Sequence, residues 1–78
     1  MPNELHDHEI IAAIATEYIE LDKLLKRENL AASGGEARYL ISQGLVQVNS
    51  VLETRKRRKL YAGDVASFNG VEVRVVGK

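Results

Sequence analysis

The chain has no cysteine. Neither a disulfide nor a thiolate metal site can brace it. No apolar run approaches the ~18–20 residues of a membrane-spanning helix. The N-terminus lacks a basic stretch followed by an apolar run and a small-residue cleavage site, so no secretion signal is read there. The expectation is a cytoplasmic protein with no membrane partner. Lys and Arg are missing from residues 1–22, which hold six acids. Residues 23–78 carry all eleven cations against five acids, a net charge of +6. The formal charge of the whole chain is zero, yet an acidic head precedes a basic body. A polyanion responds to that local field, not to the average.

Catalytic groups are also scarce. The only histidines are His6 and His8, near the N-terminus. The acids of the body (Glu28, Glu36, Glu53, Asp64 and Glu72) are scattered, and no phosphate-loop or dinucleotide motif is present. A chain of 78 residues has little volume for a substrate pocket. An enzyme, a small-molecule substrate and a cofactor are therefore not expected. His6-Asp7-His8 is read as a chance cluster rather than a metal site, because a mobile segment lacks the fixed geometry a metal requires.

What is present fits one domain. Apolar content is 45%, enough for a packed core. Residues 1–13 are read as an acidic, mobile tail and residues 14–78 as the folded unit. Ile10–Ile19 fits both a helical and a strand period, and a strand near Ala15–Glu20 is chosen. Leu21, Leu24 and Leu25 make one apolar face and predict a helix over Leu21–Asn29. Ser33 is a good N-cap with Glu36 three residues on, a capping box opening a second helix. Ala37, Leu40 and Ile41 are its buried stripe, and Gly44 supplies a left-handed ending. Gly34 and Gly35 weaken its first turn. Two readings stand: a phosphate approaches the free N–H groups there, or glycine allows close packing against a strand.

Strands follow at Leu45–Val48, Val51–Thr54, Val65–Phe68 and Val71–Val76, with turns at Asn49-Ser50, Ala62–Asp64 and Asn69-Gly70. Val71, Val73 and Val75 should face inward. The expected fold class is α+β, two short helices packed on a small, mostly antiparallel twisted sheet, and a monomer is expected.

Between the strand-like runs lies Arg55-Lys56-Arg57-Arg58-Lys59. Five consecutive cations repel one another and resist burial. Such a cluster binds nucleic acid by neutralising phosphates, or docks an acidic protein partner. Asn49 at a hairpin tip can meet a base edge or a 2′-hydroxyl. Tyr18, Tyr39 and Tyr61 neighbour apolar residues and are read as core or half-buried.

The ordered set Glu20–Leu25, Ser33–Ile41, Gly44–Asn49 and Gly63-Asp64-Val65 resembles the S-four RNA-binding domain, whose helix–helix–hairpin core is called the alpha-L motif. The resemblance runs from about Thr16 to Val76. Gly34–Ala37 with Glu53-Thr54-Arg55 and Arg58–Tyr61 is similar to small stand-alone bacterial members, of the YaaA and YbcJ type. The resemblance implies non-catalytic binding of structured RNA, ribosomal or transfer RNA, in a ribosome-associated role. It implies an RNA surface of Ser33, Gly34, Gly35 and Arg38 on the second helix, Asn49 at the hairpin, and Arg55, Lys56, Arg57 and Arg58 after it. Lys59 completes the basic run. Three positions depart from the family pattern: Ser50 replaces a turn Gly, Ala62 a common Pro, and Arg57 a frequent Gly.

Overall fold

The leucine spacing builds the first helix where it predicts one. A computed structural model describes residues 9–78; the remaining tail residues, with His6-Asp7-His8, lie outside it. In α1 (Leu21–Arg27), Leu21, Leu24 and Leu25 are fully buried. Asn29 takes a φ of 63°, and the Leu30 N–H reaches the Leu25 carbonyl at 2.9 Å, a Schellman ending made with Asn. In α2 (Gly34–Ser42), Ala37 and Ile41 are buried, while Leu40 packs partly against the core. Gly44, at φ 75°, lets the Leu45 N–H return to the Leu40 carbonyl at 3.3 Å. Leu45 itself is exposed, and the next strand starts one residue later than expected.

The strands are β1 (Glu9–Ile14), β2 (Ile19–Glu20), β3 (Val46–Val48), β4 (Val51–Leu52), β5 (Lys59–Leu60), β6 (Val65–Phe68) and β7 (Val71–Gly77). Five form one sheet in the order β1-β7-β6-β3-β4, antiparallel except for the β1–β7 pair. Asn49-Ser50 and Asn69-Gly70 turn with positive φ at both positions, the mirror-image turn that matches strand twist. Val73 and Val75 are buried as the alternation requires, and Val71 packs partly against the core. They join Ala12, Ile14, Val46, Val48, Ala66 and the helix leucines in one buried cluster.

The strand expected near Ala15–Glu20 is displaced. Of its span only Ile19-Glu20 is strand, as β2; the longer β1 lies upstream, all but Ile14 of it in the stretch assigned to the tail, so the folded unit reaches back to Glu9. Residues 15–18 form a bend, in which the Thr16 hydroxyl donates to the Tyr18 carbonyl at 2.9 Å. β1 is fixed by a partner at the far end of the chain, Glu9 beside Glu72 and Ile14 beside Gly77. The second, two-stranded sheet pairs Ile19 with Leu60 and Glu20 with Lys59. It ties the start of α1 to the end of the basic run.

Candidate nucleic-acid interface

The basic run is folded around an acid. β4 leads into Glu53, whose N–H donates to the Val46 carbonyl at 3.0 Å and whose side chain is only 7% exposed. Arg55 donates to this carboxylate from its backbone N–H (2.8 Å), Nε (3.0 Å) and Nη2 (3.0 Å). Arg58 adds Nη1 at 2.9 Å. The Arg55 guanidinium is the main cause that pushes the Glu53 pKa down to about 2; burial opposes it, and the Arg55 N–H and Arg58 assist. The same contact raises the Arg55 pKa.

Arg55 and Arg58 are therefore not the free surface cations the sequence suggests. A buried carboxylate must be paired, and these two pair it. Arg55 remains mostly exposed, whereas the Arg58 side chain keeps 28% exposure. Among the described residues Lys56 and Arg57 make no ion pair, and both are exposed. Arg55, Arg57, Arg58 and Lys59 together line an open cleft of about 560 Å³.

The backbone of the run does a second job. Glu20, the N-cap of α1, offers no side-chain cap. The Arg58 and Lys56 carbonyls instead accept from the Leu21 N–H at 2.9 Å and the Asp22 N–H at 3.1 Å. Two helix-start donors are thus satisfied by the loop.

Asp22 then joins this loop to α2. Its buried carboxylate accepts from the Lys23 N–H at 2.9 Å and faces Arg38 Nη1 at 3.4 Å. Arg38 lies back along its helix, and a β-carbon on Gly34 would sit 3.2 Å from Nη1. The close packing at Gly34 is against this guanidinium, not against a strand. A β-carbon on Gly35 would meet only Ser33 Oγ, at 3.8 Å. Ser33 Oγ accepts from the Glu36 N–H at 3.1 Å, as a capping box requires. Glu36 reaches back to the N–H of Ala32, one residue earlier than in that motif. The glycine-opened helix end and the cationic run therefore meet at Asp22.

Asn49 is not part of this meeting. Its Oδ1 accepts from the Val65 N–H at 3.0 Å, and its Nδ2 donates to Asp64 Oδ1 at 3.1 Å. Its amide is engaged in holding the β3–β4 hairpin to the turn before β6. This structural role is one that the base-edge reading did not anticipate.

Sequence reasoning missed the two buried acids, Asp22 and Glu53. It also placed two tyrosines too deep: Tyr39 and Tyr61 are exposed, whereas Tyr18 is half-buried as expected. The Lys59 ammonium lies 4.8 Å from the Tyr18 ring centroid. Among the described residues no group of His, Asp and Glu could hold a metal ion. No helix there is long and apolar enough to cross a membrane. A hollow of about 630 Å³ on the sheet has Glu9 and Glu72 as its only charged lining residues, the wrong sign for a phosphate.

The S4 domain family model matches residues 12–76. YbcJ of Escherichia coli K12 is 46% identical over 59 residues, 76% of this chain and 84% of YbcJ. RlbA of Bacillus subtilis 168, named a probable ribosome maturation protein, is 41% identical over 58 residues, 74% of this chain and 82% of RlbA. The solution structure of Escherichia coli YbcJ, described as revealing an alfaL motif involved in RNA binding, matches at a TM-score of 0.66 and 38% identity. That match covers 97% of this chain and 91% of the other.

Proposed function

The chain belongs to the S4 domain family, and from that premise we propose that it is a non-catalytic RNA-binding module for structured ribosomal RNA, acting in cytoplasmic ribosome assembly. The observation that carries the reading is the cleft whose four lining side chains, Arg55, Arg57, Arg58 and Lys59, are all cationic. Cations held in one place neutralise phosphates without a large ordering cost. Glu53 supplies that order. Lys56 and Arg57 meet phosphates with their full charge, and Arg55, Arg58 and Lys59 do so with their outward N–H groups. Beyond Asp22, Arg38 and the first-turn N–H groups of Gly34 and Gly35, next to Ser33, extend the same surface. The name of the Bacillus subtilis relative and the motif described for YbcJ support this ligand class.

The test is the double variant Lys56→Glu/Arg57→Glu, titrated with ribosomal RNA fragments at several salt concentrations. Neither side chain takes part in an ion pair among the described residues, so the fold is expected to survive. Affinity should fall at least tenfold. The salt slope should become shallower by roughly 1.5, from about 0.7–0.9 per lost phosphate contact. Unchanged affinity and slope would remove the loop from the interface. A ribosomal complex that survives ribonuclease digestion would point instead to an acidic protein partner.

A further inference from the structure

The pairing of β2 with β5 brings together two tyrosines far apart in the chain. Tyr18 stands one residue before β2 and Tyr61 one residue after β5. Their ring centroids are 5.9 Å apart, with the planes inclined at 52°. Lys59 holds its ammonium over Tyr18 and also lines the cationic cleft. The Tyr61 backbone is fixed by the following turn, its N–H donating to Asp64 Oδ2 at 2.8 Å. Tyr61 nevertheless stays 44% exposed. An aromatic side chain held at the surface, supported by a second ring and bordered by a cation, offers what a nucleic-acid base stacks on. Its place beside the open cationic cleft gives the base and its backbone adjacent sites.

Resting on the RNA-binding reading above, we propose that Tyr61, backed by Tyr18 and edged by Lys59, stacks one unpaired base of the bound RNA. An A-form duplex hides the faces of its bases, so a uniform duplex cannot use this site. The ligand is then structured RNA that carries an extruded or single-stranded nucleotide next to a helix. Stacking accepts any base, because each has a π face, so the site selects for an unpaired nucleotide more than for its identity.

The experiment compares two RNA duplexes of one sequence, blunt-ended and equal in length, one with a single-nucleotide bulge. The wild-type chain is expected to bind the bulged duplex about 5- to 150-fold tighter, the range that stacking of one base spans. Tyr61→Leu should erase this preference and leave affinity for the uniform duplex unchanged. Tyr61→Phe should keep it. The chain has three tyrosines and no tryptophan, so tyrosine emission gives a second reading: quenching by the bulged duplex should be weaker in Tyr61→Leu. Equal binding of both duplexes by the wild type, or a preference that persists in Tyr61→Leu, overturns the stacking site while RNA binding stands. Failure of the wild type to bind either duplex overturns the RNA reading and the stacking site together.

Discussion

The Glu53 carboxylate and the Arg58 guanidinium meet at 2.9 Å, five residues apart in the chain. Arg55 closes on the same carboxylate at 3.0 Å. A run of five cations would otherwise spread under its own repulsion; here one buried acid sets its path. Replacing Glu53 with Gln keeps the shape and removes the charge. Both guanidiniums then lose their anion. We expect a loss of about 2–3 kcal/mol, below the ~3–5 kcal/mol of a fully buried pair because Arg55 faces solvent. The urea midpoint of unfolding measures it. RNA affinity should fall too, although the net positive charge rises. Tighter binding by Glu53→Gln would show that charge alone, and not loop shape, governs the interaction.

Acid should act through the same carboxylate. The Glu53 pKa is depressed from 4.5 to about 2 in the folded chain. A depressed carboxylate stabilises the fold above its unfolded value, and that stability is lost as pH falls from about 4.5 toward 2. The full shift corresponds to about 3 kcal/mol, and solvent screening on the Arg55 side reduces it to about 1–2 kcal/mol. Urea midpoints followed from pH 7 to pH 2 should drop across that window. In Glu53→Gln the drop should be smaller by this amount. Parallel curves for the two proteins would assign the acid sensitivity to other carboxylates.

The two helix-opening glycines should behave differently. A β-carbon on Gly34 meets Arg38 Nη1 at 3.2 Å, tighter than ordinary contact. The guanidinium is flexible and can move, at the expense of its contact with Asp22. Gly34→Ala gains helix propensity of up to about 1 kcal/mol, less at a helix end. Its stability should stay within about 1 kcal/mol of wild type, while RNA affinity falls severalfold. Gly35→Ala has open space, gains the same propensity and leaves Arg38 in place. Thermal unfolding beside RNA titration separates the two. Equal RNA affinities would show that the position of Arg38 is irrelevant to binding.

The parts of this fold that are legible in the sequence are those set by neighbours along the chain. Leu21, Leu24 and Leu25 need only a helical period, and Ser33 caps Glu36 three residues away. Asn69-Gly70 carries its turn in its own residues. β1 is different, since its only strand partner among the described residues is β7 at the other end of the chain. The buried acids are hidden for a related reason. Asp22 adjoins Lys23 and Glu53 stands two residues before Arg55, so both look like ordinary surface charges. Only the return of the loop over α1, with the Lys56 carbonyl on the Asp22 N–H, takes them from water. Tyr61 is misread for its neighbours: beside apolar Leu60 it reads as core or half-buried, yet it turns outward while Leu60 is buried.

Asn49 offers the clearest separation of fold from binding. Both ends of its amide are engaged within the protein, with Val65 and with Asp64. Asn49→Ala removes both contacts and leaves the Val65 N–H without its side-chain acceptor. The expected loss of stability is about 1–3 kcal/mol. The adjacent Ser50 sits at φ 69°, where glycine is free of strain. Ser50→Gly should therefore return about 1 kcal/mol. The double variant Asn49→Ala/Ser50→Gly should be folded well enough to titrate with RNA, and its affinity should equal that of the wild type. If instead stability is unchanged and affinity falls, Asn49 reads the RNA directly and its contacts with Asp64 and Val65 are dispensable.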